Sequence, residues 1–391
     1  MMHILFLAHR MPFPPDRGDK IRSFHVLRHL AARARVHLVT FGEDERDFDP
    51  PAAFTDLLAS CTILPRRKSN ARAMIEALAS GRPASLTAFA DPAMQRAVDA
   101  VVASHPVAAT CCFSGQMAQY LPAHGHVVMD FVDVDSAKFA DFAATGSPLL
   151  RPLMRREARL LGTYERTVAA RVDAATFVSD AEAALFVAGG GQGNIAVVEN
   201  GIDAQAFAPA AVPRVAMPHP SIVFTGQMDY RPNIDAVEWF AGDVLPRLPN
   251  AHFAIVGRAP TAAVRALASD RVTVTGAVDD VRGWLAAADV CVAPLKLARG
   301  VQNKVLEAMA MARPVVASTA AAEGIDHAGT IRVAGDAADF ARTIAALLAD
   351  PAEAARLGAA ARARVLARYD WAARLAPLDA LLDLPSVKVA A

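Results

Sequence analysis

The stretch that decides the fold runs Cys291-Val-Ala-Pro-Leu-Lys-Leu-Ala-Arg-Gly-Val-Gln-Asn-Lys-Val-Leu-Glu-Ala-Met-Ala-Met-Ala-Arg-Pro-Val-Val-Ala-Ser318. Its apolar ends, residues 290–293 and 314–317, predict two short buried strands with a polar loop and a helix between them. A strand, a helix and a second strand in this order form the repeating unit of a parallel α/β sheet. Open sheets of this kind bind ligands where a strand ends and the next helix begins. The stretch therefore predicts the fold class and the place of a ligand site.

The loop and the first helical turn of this stretch carry positive charge. Arg299 and Lys304 are cationic, and the unpaired N–H groups at the start of a helix attract an anion. Glu307 lies one turn beyond Lys304 and offers two oxygens that accept hydrogen bonds from sugar hydroxyls. Together these groups suit a diphosphate joined to a sugar, and an ordinary αβ unit with solvated charges is the alternative. The residues predicted here to bind such a donor are Gly300, Val301, Gln302, Asn303 and Glu307.

The same stretch resembles the nucleotide-sugar motif of family 4 of the GT-B glycosyltransferases, the glycosyl transferases group 1. That motif is written E-x7-E and is followed by A-M-A-x-G-x-P-V-V. Glu307 matches its second Glu, and residues 308–310 and 314–316 match its flanks. Arg299 stands at the position of the first Glu, which contacts the donor sugar in the family. The resemblance implies a GT-B fold, in which two Rossmann-like parallel-sheet domains face each other across a cleft.

Chain length and a proline-rich segment predict two domains. A chain of 391 residues exceeds the usual size of a single core. Residues 199–203 are similar to the family's interdomain crossing, and four prolines follow by residue 220. We expect an acceptor-side Rossmann-like domain over residues 1–198, a linker over 199–220 and a nucleotide-sugar-binding Rossmann-like domain over 221–368. Residues 369–391 resemble the family's last helix, which packs back toward the N-terminal domain.

Composition limits the partners and the compartment. Hydrophobic residues make up 54% of the chain, charged residues 20%, and the net charge is zero. These values indicate a compact protein and give no reason to expect a nucleic-acid partner. No apolar run approaches the ~20 residues that a bilayer requires, and the four scattered cysteines are expected to stay reduced. We therefore expect a cytoplasmic protein.

Basic residues cluster at positions 66–68 and 151–159, so a membrane surface is one further possible partner. They are either solvated faces or contacts with lipid headgroups at the inner face of the membrane. Peripheral membrane association is thus an alternative to a freely diffusing enzyme.

The first βα unit offers candidate acceptor contacts. Residues 4–8 predict the first strand and residues 21–32 a helix. The loop between them contains Gly18 and Asp19, where the family often carries a Gly-Gly pair. A glycine permits a ligand to approach the backbone closely, and a simple turn explains it equally well.

An acidic run supplies the second set of acceptor candidates. Asp130, Asp133 and Asp135 follow a predicted strand and would share one face of an extended segment. We assign Asp133 and Asp135 to the acceptor side; capping of the next helix is an equal alternative. The run and the residues up to 139 resemble a subgroup of family 4 associated with exosortase (PEP-CTERM) exopolysaccharide loci.

Loops of the second half complete the predicted donor site. Gly226 follows a strand predicted over residues 221–225, and the next helix is predicted to begin at Ile234. Family enzymes carry Arg and Lys in the loop between them to hold the diphosphate. Here Arg231 is present, but Asn233 stands where a Lys is expected. Gly257 follows the next strand, and Val278 lies in the loop whose backbone holds the base in the family.

Sequence and resemblance together predict a glycosyltransferase. A sugar would pass from a nucleotide-diphosphate donor to a hydroxyl of a saccharide or lipid-linked saccharide in exopolysaccharide biosynthesis. The resemblance implies a retaining, metal-independent hexosyltransferase that needs no cofactor besides its donor substrate. Arg231, Arg299 and Lys304 would stabilise the leaving diphosphate.

Two other functions stay open. A GT-B-fold epimerase would use the same donor motif, but the sequence offers no acid–base pair for it. A sugar-nucleotide sensor without catalysis is favoured by Arg299 in place of the first Glu.

Overall fold

The computed structural model describes residues 2–15, 18–145, 148–210, 212–298 and 301–384. The chain divides into two compact units. Unit 1 contains Met1–Asn200 together with Arg374–Ala391, and unit 2 contains Gly201–Ala373. Each unit encloses a parallel sheet, which confirms the predicted α/β fold class.

The sheet of unit 1 has seven parallel strands among the described residues, in the order β3-β2-β1-β4-β5-β6-β7. The strands are β1 (His3–Ala8), β2 (Arg35–Gly42), β3 (Ser60–Pro65), β4 (Val107–Phe113), β5 (His126–Val132), β6 (Ala174–Phe177) and β7 (Ile195–Val197). Strand β1 has β2 on one side and β4 on the other, so the strand order reverses between β1 and β4. Such a switch point leaves a crevice at the carboxyl ends of the two strands.

Helices of unit 1 cover this sheet, which is why β1 is an uninterrupted apolar run that is buried from Ile4 to Ala8. Its helices are α1 (Gly18–Ala31), α2 (Ala52–Thr55), α3 (Asn70–Ser80), α4 (Ala84–Thr87), α5 (Pro92–Ser104), α6 (Asp135–Thr145), α7 (Arg151–Ala169) and α8 (Asp180–Ala188).

The sheet of unit 2 has six parallel strands among the described residues, in the order β10-β9-β8-β11-β12-β13. The strands are β8 (Ser221–Thr225), β9 (His252–Val256), β10 (Val272–Val274), β11 (Val290–Ala293), β12 (Val315–Ser318) and β13 (Arg332–Ala334). Its helices are α9 (Arg231–Trp239), α10 (Ala262–Arg265), α11 (Val281–Ala287), α12 (Asn303–Ala310), α13 (Thr319–Glu323), α14 (Ala337–Ala349) and α15 (Pro351–Arg368). Here the order reverses between β8 and β11.

Two helices begin earlier than the sequence pattern predicts. Helix α1 begins at Gly18 rather than at residue 21, so Gly18 and Asp19 form its first turn instead of a loop. Helix α9 begins at Arg231, because Pro232 occupies a first-turn position that needs no backbone N–H. Both predicted starts followed the first apolar residue, which marks the buried face and not the helix end.

The last described residues contain α16 (Trp371–Leu375) and α17 (Pro377–Leu381). In unit 1, Asp379 of α17 lies 2.7 Å from Nε2 of His29, and the carbonyl of Leu381 accepts a hydrogen bond at 2.6 Å from His126. Helix α17 is therefore held by polar contacts with α1 and β5. Across the described part of the chain, every helix is too short or too polar to cross a bilayer.

Candidate functional site

Two glycine loops of unit 2 meet at the carboxyl ends of β8 and β9. Gly257 has a φ of +149°, and a Cβ atom there would lie 1.7 Å from the carbonyl oxygen of Gly226. The backbone N–H of Gly226 donates to the carbonyl of Val256 at 3.0 Å. No side chain fits at Gly257, so the two backbones stay in direct contact at the ligand edge of the sheet.

Lys304, in the first turn of α12, extends to this edge. Its Nζ atom donates a hydrogen bond to Oδ1 of Asn233 and lies 4.3 Å from the centre of the Phe224 ring. The ring face attracts the ammonium group. The Nδ2 atom of Asn233 in turn donates to the carbonyl of Gln227 at 2.9 Å, which fixes the orientation of the amide. A Cβ atom at Gly226 would lie 3.3 Å from the lysine nitrogen, so this ammonium sits directly against the β8 loop.

The protonation of Lys304 and Glu307 is shifted by their surroundings. Burial lowers the pKa of Lys304 to about 8, although Glu307 acts in the opposite direction. Burial raises the pKa of Glu307 to about 7, although Lys304 again opposes the shift. At neutral pH the lysine is mostly charged and the carboxyl is partly ionised. A cation and a carboxyl on one face of α12 suit a phosphate and a hydroxyl group of one ligand.

The other predicted donor residues occupy different surroundings. The side chain of Arg231 is 78% exposed and forms an ion pair with Asp235 at 2.8 Å, one turn along α9. Gln302 is the N-cap residue of α12, and Val301 and Asn303 on either side of it are exposed. Half-buried Val278 packs against the core of unit 2. Arg299 and Gly300 lie outside the described residues, so their predicted roles stay predictions.

Two residues of this edge were missed by the sequence reasoning. Asn233 stands where the family resemblance predicts a Lys, and its amide oxygen accepts a hydrogen bond from Lys304. Arg258, directly after Gly257, is exposed and donates to Oε1 of Gln227 at 3.0 Å. Its position after a strand was a usable signal, because loops at that end of a parallel sheet carry ligand-binding residues.

Unit 1 contains a cavity of about 520 Å³ at the carboxyl ends of β1, β4 and β5. All four residues predicted for the acceptor side, Gly18, Asp19, Asp133 and Asp135, line this cavity. The other lining residues are His9, Arg10, Arg22, Phe113, Ser114, Gln116, Phe131, Val132, Lys138, Val178 and Asn200. The fold thus brings two separate parts of the sequence to the switch point between β1 and β4.

Ion pairs organise the carboxylates of the cavity. Arg10 donates to Asp19 at 2.7 Å and to Glu43 at 3.0 Å. Burial opposes the ionisation of Asp19, but the hydrogen bonds from His9 and Arg10 outweigh it and hold its pKa well below the usual range. The Nζ atom of Lys138 donates to Asp133 at 2.7 Å and to Asp135 at 3.0 Å.

The prediction that Asp130, Asp133 and Asp135 share one face of an extended segment is wrong. Asp130 is buried and accepts two hydrogen bonds from Arg22, at 2.8 and 3.2 Å, whereas the other two carboxylates bind Lys138. The chain turns at Val132, whose φ of 70° lies in the left-handed region that a β-branched residue rarely adopts. This turn separates Asp130 from the rest of the run.

A histidine that was not among the predicted site residues, His9, also lines the cavity. His9 is buried, stacks on Phe113 with ring centroids 5.8 Å apart, and places Nε2 3.3 Å from Oδ2 of Asp19. Burial lowers its pKa although Asp19 opposes the shift, so the ring is neutral near pH 7. Its Nδ1 atom is buried and finds no hydrogen-bond partner among the described residues. The usable signal was its place directly after the first strand.

Comparison with known proteins relates the chain to sugar-transferring enzymes. Residues 219–350, which include Lys304 and Glu307, match the family model described as glycosyl transferases group 1. Three solved structures illustrate the structural similarity. Sucrose-phosphate synthase from Thermosynechococcus elongatus superposes with a TM-score of 0.64 at 19% identity, over 98% of both chains. HepE from Anabaena, in complex with UDP and glucose, gives 0.61 at 16% identity over 98% of this chain and 100% of its own.

The third structure is WaaG, a glycosyltransferase involved in lipopolysaccharide biosynthesis, with a TM-score of 0.61 at 16% identity over 97% of this chain and 99% of its own. The fold is that of the GT-B glycosyltransferases. None of the curated proteins with which the sequence was compared is similar to it. In this GT-B fold, unit 2 contains the matched family segment, and unit 1 contains the cavity with the paired carboxylates.

Proposed function

We propose that the protein is a glycosyltransferase that moves a sugar from a nucleotide-diphosphate donor to a hydroxyl acceptor. The observation that carries this proposal is the position of Lys304, which Asn233 and Phe224 hold at the ligand edge of the sheet in unit 2. Its segment matches the glycosyl transferases group 1 model. The presence of UDP and glucose in the HepE structure supports a nucleotide-sugar donor.

Lys304 and the N-terminus of α12 would bind the donor diphosphate. When the bond to the sugar breaks, negative charge grows on the leaving phosphate, and a fixed ammonium stabilises that charge without reorganising. The partial positive charge at the helix N-terminus acts in the same direction. Glu307, one turn further along α12, would accept hydrogen bonds from ribose hydroxyls. Positive charge supplied in this way supports a metal-independent reaction, and the family resemblance supports retention of configuration.

The cavity of unit 1 would bind the acceptor. Its volume of about 520 Å³ falls in the range of small-ligand sites, and its carboxylates and cations can both accept and donate hydrogen bonds to a saccharide. His9 places a neutral imidazole in the same cavity. A saccharide or a lipid-linked saccharide of exopolysaccharide biosynthesis fits this lining and the subgroup resemblance of residues 130–139.

One segment of unit 1, from α6 into α7, supports contact with the inner face of a membrane. Arg155 and Arg159, one turn apart on α7, are exposed, and Phe142, Leu149 and Leu150 nearby in sequence are exposed as well. Leu149 and Leu150 directly precede α7. Exposed basic and large apolar side chains in one segment are typical of segments that bind anionic lipid surfaces. Sedimentation with anionic vesicles, which Arg155→Glu with Arg159→Glu should abolish, tests this contact.

Donor binding and transfer test the function separately. A panel of UDP-, GDP-, ADP- and TDP-sugars in a thermal-shift assay should give a rise in melting temperature for at least one nucleotide, because a ligand stabilises according to its affinity. With that donor, release of nucleoside diphosphate should require an added saccharide acceptor. Conversion of the donor sugar without acceptor would indicate the epimerase instead. Binding without conversion under any acceptor would indicate the sensor.

A further inference from the structure

Three histidines of unit 1 lie together at the end of the sheet opposite the cavity. His3 begins β1, His37 lies in β2, and His105 directly follows α5. Leu5 pairs with His37 in the parallel ladder, so His3 and His37 stand on the same face of the sheet. At about 3.3 Å per residue, β1 separates this cluster from His9 by about 20 Å.

The three imidazole rings form one stack. The ring centroids of His37 and His105 are 4.1 Å apart, and those of His3 and His37 are 5.2 Å apart. The Nδ1 atom of His3 lies 2.9 Å from Nε2 of His37. One nitrogen from each ring belongs to a set whose members all lie within 4.8 Å of one another. Three imidazole nitrogens within this distance of one another can supply the donor set of a metal site.

We propose that His3, His37 and His105 bind a divalent transition-metal ion of the Zn²⁺ type. Imidazole nitrogen is a preferred ligand of this class of ion, and three histidines leave a fourth position for water or an anion. With Zn–N bonds of about 2.0–2.1 Å, a tetrahedral site separates its nitrogens by roughly 3.4 Å. The nitrogens of His3 and His37, 2.9 Å apart, share a hydrogen bond that the ion would replace with release of its proton, and the set that includes His105 spans at most 4.8 Å.

The surroundings of His37 favour this role. Its Nδ1 atom lies 2.8 Å from Oγ of Ser60, which orients the ring and leaves Nε2 toward His3. Metal-bound histidines usually make such a contact through the second ring nitrogen. The imidazole of His37 is buried and lies beside the positive charge of Arg35. The positive charge of Arg35 repels a bound cation, so Arg35→Gln should tighten zinc binding.

A bound ion would join β1, β2 and the connection between α5 and β4. These ligands are far apart in sequence, so the site exists only in the folded chain and the ion should stabilise the fold. The inference does not depend on the proposed transfer reaction. Because the cluster lies at the other end of the sheet from the acceptor cavity, zinc should leave nucleotide-sugar binding unchanged.

A zinc titration of the full chain by isothermal titration calorimetry near pH 7.5 tests the site. We expect one equivalent of Zn²⁺ to bind, and His3→Ala or His105→Ala to weaken binding at least tenfold, since even a residue that only supports a ligand contributes about 10–100-fold. Both residues are partly exposed, so their replacement should preserve the fold; the buried His37 is left intact. His124→Ala, the same change at an exposed histidine of unit 1, is the matched control and should bind like the wild type.

A rise in melting temperature with zinc provides the second measurement. It should occur in the wild type and in His124→Ala and be absent in His3→Ala and His105→Ala. No zinc binding by the wild type, or equal affinity in the wild type and both cluster variants, would overturn the proposal. Circular dichroism of each variant without zinc verifies that the variant is folded like the wild type, so that weaker zinc binding reflects the missing ligand and not unfolding.

Discussion

The Nζ atom of Lys304 lies 2.5 Å from Oδ1 of Asn233, so a side chain from α9 fixes the ammonium of α12 at the end of β8. Because the partner is a neutral amide, the positive charge of Lys304 is oriented but not neutralised. A carboxylate at the same place would have paired with the charge. This relationship leaves the lysine available for an anionic ligand, and it makes residue 233 a sensitive position for donor binding.

Asn233→Asp should therefore weaken donor binding, through its charge and through the lost hydrogen bond from Nδ2 to the carbonyl of Gln227. The side chains have the same shape, but the carboxylate would neutralise Lys304 and repel a diphosphate. We expect the dissociation constant of the nucleotide sugar to rise at least tenfold, in line with the 1.5–3 kcal/mol typical of a hydrogen bond to a charged group. Isothermal titration calorimetry with the donor measures the change.

The matched control is Asn250→Asp, the same substitution at an exposed residue before β9, at the other end of the strand from Gly257. It should bind the donor like the wild type. Equal donor affinity for Asn233→Asp and Asn250→Asp would remove Lys304 from the diphosphate site.

The pH dependence of kcat/KM for the donor should form a narrow bell. The active form needs an ionised Glu307, whose pKa is raised by burial to about 7, and a charged Lys304, whose pKa is lowered by burial to about 8. Activity should rise as the pH passes 7 and fall as it passes 8. Since the two groups interact, the apparent values belong to the pair.

Substitutions separate the two limbs of this profile. Glu307→Gln should remove the rise on the acid side, and Lys304→Arg should move the fall to higher pH because a guanidinium stays charged. Glu307→Ala should weaken donor binding by about 1.5–3 kcal/mol, whereas Lys304→Ala should reduce turnover more than binding. A Glu307→Gln profile identical to that of the wild type would exclude Glu307 from the site.

Asp133→Asn should act on the acceptor alone. The change removes the charge that binds Lys138 at 2.7 Å in the cavity of unit 1, and we expect the KM for the acceptor to rise about tenfold or more. The KM for the donor should stay constant. Asp99→Asn, at an exposed position on α5, is the control. If only the KM for the donor changed, the cavity of unit 1 would not be the acceptor site.

The strands were predictable because a parallel strand that is buried on both faces is an uninterrupted apolar run. The predicted bounds of Ser221–Thr225 and Val290–Ala293 are confirmed residue by residue. Helix starts were less predictable, since Gly18 and Arg231 carry no apolar signal and are set by backbone requirements such as the proline after Arg231.

Contacts between distant residues could not be predicted from the pattern. Lys304 and Asn233 are 71 residues apart, and only the order of β8 and β11 in the sheet brings their helices to one edge. The contacts of His9 with Phe113 and Asp19 likewise depend on the fold, although its place directly after β1 was available from the sequence. The left-handed backbone of Val132 separates Asp130 from Asp133, and no residue-type rule predicts a valine there.

Glu165 of α7 links the stability of unit 1 to pH. Its side chain is buried and accepts a hydrogen bond from the backbone N–H of Ser136 at 3.1 Å. Burial raises its pKa from 4.5 to about 7, opposed by the hydrogen bonds from Ser136. Because the pKa of Glu165 is higher in the folded than in the unfolded protein, the protonated side chain makes its full contribution to the free energy of unfolding below pH 4.5. This contribution is lost as the pH rises through 7.

Glu165→Gln should therefore be more stable than the wild type at pH 8.5, by at most about 3 kcal/mol, and equal or less stable at pH 5. An amide cannot ionise, yet it retains an oxygen for the N–H of Ser136. Urea unfolding at both pH values measures the difference, and Glu323→Gln, at an exposed carboxylate, should show no such change of sign. If the Glu165→Gln variant loses the same free energy at pH 5 and at pH 8.5, the pKa of Glu165 is the same in the folded and the unfolded protein, and burial does not raise it.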